Sequence, residues 1–217
     1  AIGALKQRME YLRYMYTKLF EASKFGGTVI RPLFFEFPLL HFDGEYESSF
    51  MVGDALKVSP KLKPGTGKFS LFPGGISFID LNDLDIHKEK ADKIVDLEPL
   101  PTKTVVHLRE GKIIPIQPSD LNPALNTYDL IKKSSITLLV YPDYKGVAEG
   151  TLYIDDDGES LADLHNENYQ YFRFRFTSNN GQSIQFSRLQ GKETEGRLSN
   201  NEILEEIRIL GGVDKQS

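Results

Sequence analysis

A helical period that stops at Gly26-Gly27 and runs straight into Thr28-Val29-Ile30-Arg31-Pro32 restricts this chain more than any other feature. Ile2, Leu5, Met9, Leu12, Tyr16 and Leu19 are spaced alternately by three and four residues, which puts them on one face of a helix over 2–24. Lys6, Arg8, Arg13 and Lys18 fall largely on the other side. Glycine tolerates the left-handed backbone that commonly ends a helix, so Gly26-Gly27 marks the stop. Thr28–Ile30 has no polar alternation and reads as a short strand buried on both faces, as in a parallel sheet. Pro32 cannot donate to a ladder and holds Arg31 extended. This is one αβ step, and no second βα unit follows. A helix face and a strand of this kind call for partners that sandwiches alone do not provide, because open strand edges invite aggregation.

After residue 45 the period changes. "DALKVSP", "GKFSLFP", "ISFIDL", "KTVVHLRE", "KIIPIQP", "SITLLVYP", "GTLYID", "YQYFRFRFTS" and "QSIQFSRL" are short and β-rich, with Gly, Pro and Asn turns between them. That spacing predicts antiparallel sandwiches. In 170–176, Phe172, Phe174 and Phe176 alternate with Tyr171, Arg173 and Arg175, so the phenylalanines should face a core and the others solvent. "SDLNPALNTYDLIKK" (119–133) has no strong period and reads as a boundary between two β-modules.

The composition excludes several classes of function. A net charge of −5 gives no footprint for a nucleic-acid backbone. There is no cysteine, hence neither disulfides nor thiolate metal sites. No apolar run approaches the length of a membrane span. The four histidines, His41, His87, His107 and His165, have no short spacing that would pair them on a metal, and no cofactor motif is present. Asp155, Asp156, Asp157 and Glu159 form an acidic run. It could do acid–base work or bind calcium, or it could be a hairpin turning at Asp157-Gly158; it lacks the spacing of a calcium loop. Tyr171, Arg173 and Arg175 could stack a sugar ring or a base, or could be a solvated face. No complete active site can be assembled from these residues.

Five stretches, in order, carry a family resemblance. They are "ALKQRMEYLRYMYTKLFEASKFGGTVIRPLFFEFP", "FMVGDALKVSPKLKPG", "VVHLREGKIIPIQ", "EGTLYIDDDGES" and "NEILEEIRILG". Together they resemble the C-terminal part of glycoside hydrolase family 31, whose α-glucosidases carry a similar Val-x-Arg-Pro-Leu-Phe strand after an arginine-, leucine- and tyrosine-rich helix. Phe78 stands where the family shows tryptophan, and Glu110 where it shows glycine.

The resemblance implies a mainly β fold in three parts. Residues 1–47 would be the last helix and strand of a (β/α)8 barrel with the loop after it. Residues 48–132 would be a proximal β-sandwich, and 133–217 an incomplete distal one. It implies a retaining α-glucosidase whose two catalytic aspartates lie upstream, so no catalytic residue is assigned here, not even Asp54 or Asp156. Arg31, at the end of the barrel strand, is the one weak candidate for substrate contact; an ion pair under the barrel rim is the other reading of it. Phe34, Phe35 and Phe37 would pack where barrel meets sandwich. The implied partner is the N-terminal catalytic-barrel chain of the same precursor, an expectation in keeping with a sequence that opens on Ala1. Oligosaccharide would be reached through that chain, with no cofactor and no metal. The implied setting is lysosomal, secreted or the lumen of the endoplasmic reticulum. The alternative is a non-catalytic carbohydrate-binding or structural β-sandwich module.

Overall fold

The computed structural model describes residues 2–40, 49–60, 68–97, 103–118, 134–155, 165, 169–179, 181–191 and 204–211. The helical stretch forms as two pieces, α1 (Ile2–Glu10) and α2 (Leu12–Phe25). α2 stops at Gly26, whose φ of 85° suits glycine and whose N–H donates to the Ala22 carbonyl.

The face these helices bury is not their apolar stripe. Gln7, Tyr11, Arg13, Tyr14, Thr17 and Phe20 are buried, whereas Ile2, Leu5 and Leu19 are 74%, 56% and 55% exposed. The reason lies in what the helices dock against: rims and turns whose backbone groups lack a ladder partner. Tyr14 Oη donates to the Val52 carbonyl at 2.9 Å and accepts from the Ala55 N–H at 3.1 Å. Thr17 Oγ1 accepts from the Tyr153 N–H at 3.1 Å. Gln7 holds both backbone groups of Thr104, and Arg13 Nη2 donates to the Ser134 carbonyl at 2.8 Å. Buried backbone groups left unpaired would each cost about 1–3 kcal/mol, so hydrogen-bonding side chains win the inner face.

The strand after the helix also differs from expectation. β1 is Ile30–Pro32, and it pairs antiparallel with β2 (Phe50–Val52), matching Ile30 to Val52. It is an edge strand with Ile30 64% exposed, not a strand buried on both faces. The edge position is what tolerates Pro32. One hydrogen-bonding rim of β1 is thus closed by the chain itself. A single helical turn, α3 (Leu33–Glu36), follows. It buries Leu33, with Phe37 just beyond it, while Phe34 and Phe35 stay 44% and 57% exposed.

The remaining strands of the first half are β3 (Leu56–Ser59), β4 (Lys68–Phe72), β5 (Ser77–Asp80), β6 (Ile86–Lys88), β7 (Lys93–Leu97) and β8 (Val105–Arg109). Six make one sheet in the order β1-β2-β3-β8-β5-β6, and β4 and β7 pair separately. On one face, Met51, Phe78 and Val105 meet Leu71, Phe72 and Leu97 of the small sheet, closing a sandwich core with Leu33 and Phe37. On the other, Val52, Leu56, Ile79 and Leu108 meet Tyr11 and Tyr14 of the helices and Ile114, Leu139 and Tyr141 of a second sheet.

That second sheet comprises β9 (Lys112–Ile116), β10 (Ile136–Tyr141), β11 (Val147–Asp155), β12 (Tyr169–Thr177), β13 (Ser183–Gln190) and β14 (Leu204–Ile209), ordered β13-β12-β11-β9-β10-β14. The chain crosses between sheets at Glu110-Gly111, ahead of the expected boundary at 119–133, which lies outside the described residues. The sheet is not purely antiparallel. β9 inserts between β10 and β11, which run oppositely, so it is antiparallel to β10 and parallel to β11; β14 also runs parallel to β10. In β12, Phe174 and Phe176 are buried and Arg173 and Arg175 exposed, as the alternation predicts. Tyr171 is the exception. It is only 6% exposed because Phe20 of α2 lies against it, with ring centroids 5.2 Å apart. Phe20 also stacks on Tyr153 at 4.0 Å, so this one side chain pins the helix to the second sheet.

Candidate functional site

Where α2, β1 and both sheets meet, the fold leaves a cavity of about 370 Å³. It gathers residues that stand far apart in sequence: Lys18, Glu21 and Phe25 from α2, Arg31 from β1, and Asp54 from the turn after β2. The second sheet adds Lys112 from β9, Glu149 and Thr151 from β11, and Tyr171 and Arg173 from β12. Arg31, Asp54, Tyr171 and Arg173, all singled out in the sequence, therefore share one site. Arg175 is not among its lining and instead pairs with Glu149 at 2.6 Å. Asp156 and the Asp157-Gly158 turn lie outside the described residues.

The floor of the cavity is a chain of ion pairs. Asp54 Oδ1 is 3.1 Å from Lys18 Nζ, and Oδ2 accepts from Lys112 Nζ at 2.5 Å. Lys18 also donates to Glu21 Oε2 at 2.9 Å. Glu21 Oε1 accepts from Thr151 Oγ1 at 2.5 Å and from Tyr171 Oη at 2.8 Å. Burial opposes ionisation of Asp54, but the two ammonium groups outweigh it and hold the carboxyl below its ordinary range. Burial likewise works against the charge on Lys18, and Asp54 with Glu21 overcomes it, raising the ammonium pKa. Burial raises the Tyr171 phenol, and the Glu21 carboxylate that accepts its proton adds to the shift. These groups are fixed in one charge state near neutrality, so they position rather than transfer protons. Arg31 reaches Glu36 Oε1 at 2.5 Å and the Thr28 carbonyl at 2.8 Å, and Glu36 in turn holds Arg109 at 3.2 Å. Its guanidinium thus carries an ion pair at the cavity rim.

A second polar cluster lies within the first sandwich, and the sequence reading missed it. Lys57 is wholly buried. Its Nζ donates to Ser59 Oγ at 3.0 Å and to Ser70 Oγ, and sits 4.0 Å from the centre of the Phe72 ring. Ser49 completes the group. Burial pushes the Lys57 amine down to about 7. Directly opposite, His107 is equally buried, with both ring nitrogens lacking a hydrogen bond and Asp80 Oδ2 3.7 Å from Nε2. Burial, then the Lys57 and His87 charges, lower it to about 2, so it is neutral. One signal was available: Lys57 stands between Leu56 and Val58 in the β-rich run "DALKVSP". No group of three or more His, Cys, Asp or Glu suited to a metal ion occurs among the described residues.

Three sheets with a helix bridging the two larger ones, and a junctional cavity whose acidic groups are each engaged by a cation or a hydroxyl, define a β-rich module. Residues 26–114 match the family model described as the glycosyl hydrolase family 31 C-terminal domain. The chain is 35% identical over 212 residues to an uncharacterised family 31 glucosidase of Schizosaccharomyces pombe, covering 96% of this chain and 19% of that protein. It is 32% identical to alpha-xylosidase 1 of Arabidopsis thaliana, covering 97% of this chain and 23% of that one. It shares the fold of the crystal structure of glucosidase II alpha subunit, with a TM-score of 0.83 at 24% identity over 97% of this chain and 22% of the other. The chain belongs to glycosyl hydrolase family 31, as its C-terminal part. It spans about a fifth of the length of these relatives.

Proposed function

We propose that this chain completes and braces the catalytic barrel of a retaining α-glucosidase-type hydrolase that removes terminal α-linked glucose from oligosaccharides. The observation that carries the reading is the apolar face left open at the N-terminal end. Ile2, Leu5, Leu19, Ile30, Phe34, Phe35 and Leu39 are each at least 44% exposed, seven of the sixteen exposed large apolar side chains among the described residues. Beside them β1 ends its sheet with one rim unpaired among the described residues. Surfaces of this kind mark an interface. The occupant is the upstream barrel segment of the same precursor, with α2 and β1 as its last helix and strand. On that arrangement residues 1–47 belong to the barrel, and the proximal and distal modules extend over 48–132 and 133–217, with β9 lent to the distal sheet.

Hydrolysis with retention uses two carboxyl groups about 5 Å apart, one nucleophilic and one cycling between acid and base, and needs no cofactor. Asp54, Glu21 and Glu149 are unsuited to that work because each is engaged by a cation, a hydroxyl or both. The pair therefore belongs to the upstream barrel, and Arg31 acts as a strut through Glu36. A free-standing β-module is the second reading, favoured by the helix's inner face and one rim of β1 being satisfied within the chain. The test is an assay of the pure chain 1–217 with aryl α-glucoside, alone and after mixing with the upstream segment. No turnover alone, and turnover once the two are combined, is expected. Hydrolysis by the chain alone would overturn the reading.

A further inference from the structure

We propose that the cavity between α2, β1 and the second sheet binds a neutral polyhydroxylated ring, such as one sugar residue. Three observations carry this. The lining is charged and nearly balanced. With Arg31 set against Glu36 and Glu149 against Arg175, the cavity presents Lys18 and Lys112 against Glu21 and Asp54, and Arg173 is its one surplus charge. The paired groups do not select an ion. They offer closely spaced donors and acceptors, the pattern that vicinal hydroxyls satisfy.

The floor is also rigid before anything binds. Asp54 is held by two lysines and Glu21 by a lysine and two hydroxyls, so their orientations need no reorganisation. At the mouth, two groups remain available. Arg173 makes no hydrogen bond or ion pair among the described residues. Phe25, 54% exposed, tilts against Tyr171 with ring centroids 6.0 Å apart, leaving an aromatic face for the C–H face of a sugar. A volume of about 370 Å³ falls within the range of small-ligand pockets.

The site takes its chemistry from these side chains and does not depend on where hydrolysis occurs. A catalytic result on the mixed chains therefore leaves it standing or falling on its own test. That test is saturation-transfer NMR on the chain 1–217 with glucose and maltose at about 10 mM, enough to occupy a site of ~1 mM affinity. Transfer to ring protons is expected for both sugars. Arg173→Ala should weaken binding about tenfold through loss of one charge-assisted hydrogen bond, and Phe25→Ala should reduce transfer as well. Arg175→Ala, outside the lining, should leave it unchanged, and all three variants should keep the parent's melting temperature. Three results would overturn the proposal: no transfer to either sugar, transfer indifferent to both Arg173→Ala and Phe25→Ala, or displacement of the sugar by inorganic phosphate, which would make this an anion site.

Discussion

Replacing Lys57 with methionine should stabilise the protein. The amine is fully buried against Phe72 and three serines, with no carboxylate within ion-pair distance among the described residues. Its pKa falls from an ordinary 10.5 to about 7. That displacement corresponds to roughly 5 kcal/mol of preference for the neutral amine, since each factor of ten in proton affinity is about 1.4 kcal/mol. The sign follows from linkage. Between about pH 7 and 10.5 the unfolded chain binds a proton that the folded chain refuses, so stability climbs with pH through that window. Below pH 7 both states are protonated and the full penalty persists. Methionine is similar in length and carries no charge. The serine hydroxyls keep each other, with Ser59 and Ser70 2.8 Å apart. Part of the gain is lost to the lysine's own hydrogen bonds, at about 1 kcal/mol each. The expected net is ~2–4 kcal/mol of added stability at pH 7, shrinking toward zero near pH 10. Urea unfolding followed by near-ultraviolet dichroism at pH 7, 8, 9 and 10 measures it. A parent whose stability is flat across that range, or a Lys57→Met variant less stable at pH 7, would refute the reasoning and mean that the ammonium is charged and paired.

Asp54→Asn should cost about 1–3 kcal/mol, because it leaves Lys112 without its carboxylate and Lys18 with Glu21 alone. The parent should in turn lose the Asp54 contribution on acidification below about pH 3.8, since the carboxyl's folded pKa is depressed; chemical denaturation from about pH 2 to pH 7 checks both. Gly53→Ala should lower stability by about 1–3 kcal/mol, as seen by thermal melting. Its φ is 58°, and a Cβ there would run into Tyr14 Oη and break the bond to Val52. Phe35→Ser, on the open apolar face, should change this chain's own stability by less than about 0.5 kcal/mol, while abolishing co-purification with the upstream segment. Retention of that complex would remove the face from the interface.

The sequence by itself settled the β-rich class, the positions of most strands and the family. Alternation in β12 and the ordered motifs from Ala4 to Gly211 are local signals, and local signals survive without a fold. It also placed the helix stop at Gly26, because backbone handedness is a property of the residue. The tertiary structure alone decided which helix face is buried. Periodicity counts apolar residues, but the helices dock on strand rims with unpaired backbone groups, and there Tyr14, Thr17 and Gln7 outcompete Ile2, Leu5 and Leu19. It decided the pairing of β1 with β2 and the insertion of β9 between β10 and β11, since strand partners are chosen by long-range register. It brought Arg31, Asp54, Tyr171 and Arg173 to one cavity from three separate segments, and set Lys57 against His107. Each of these depends on distance through space, which a linear sequence does not carry.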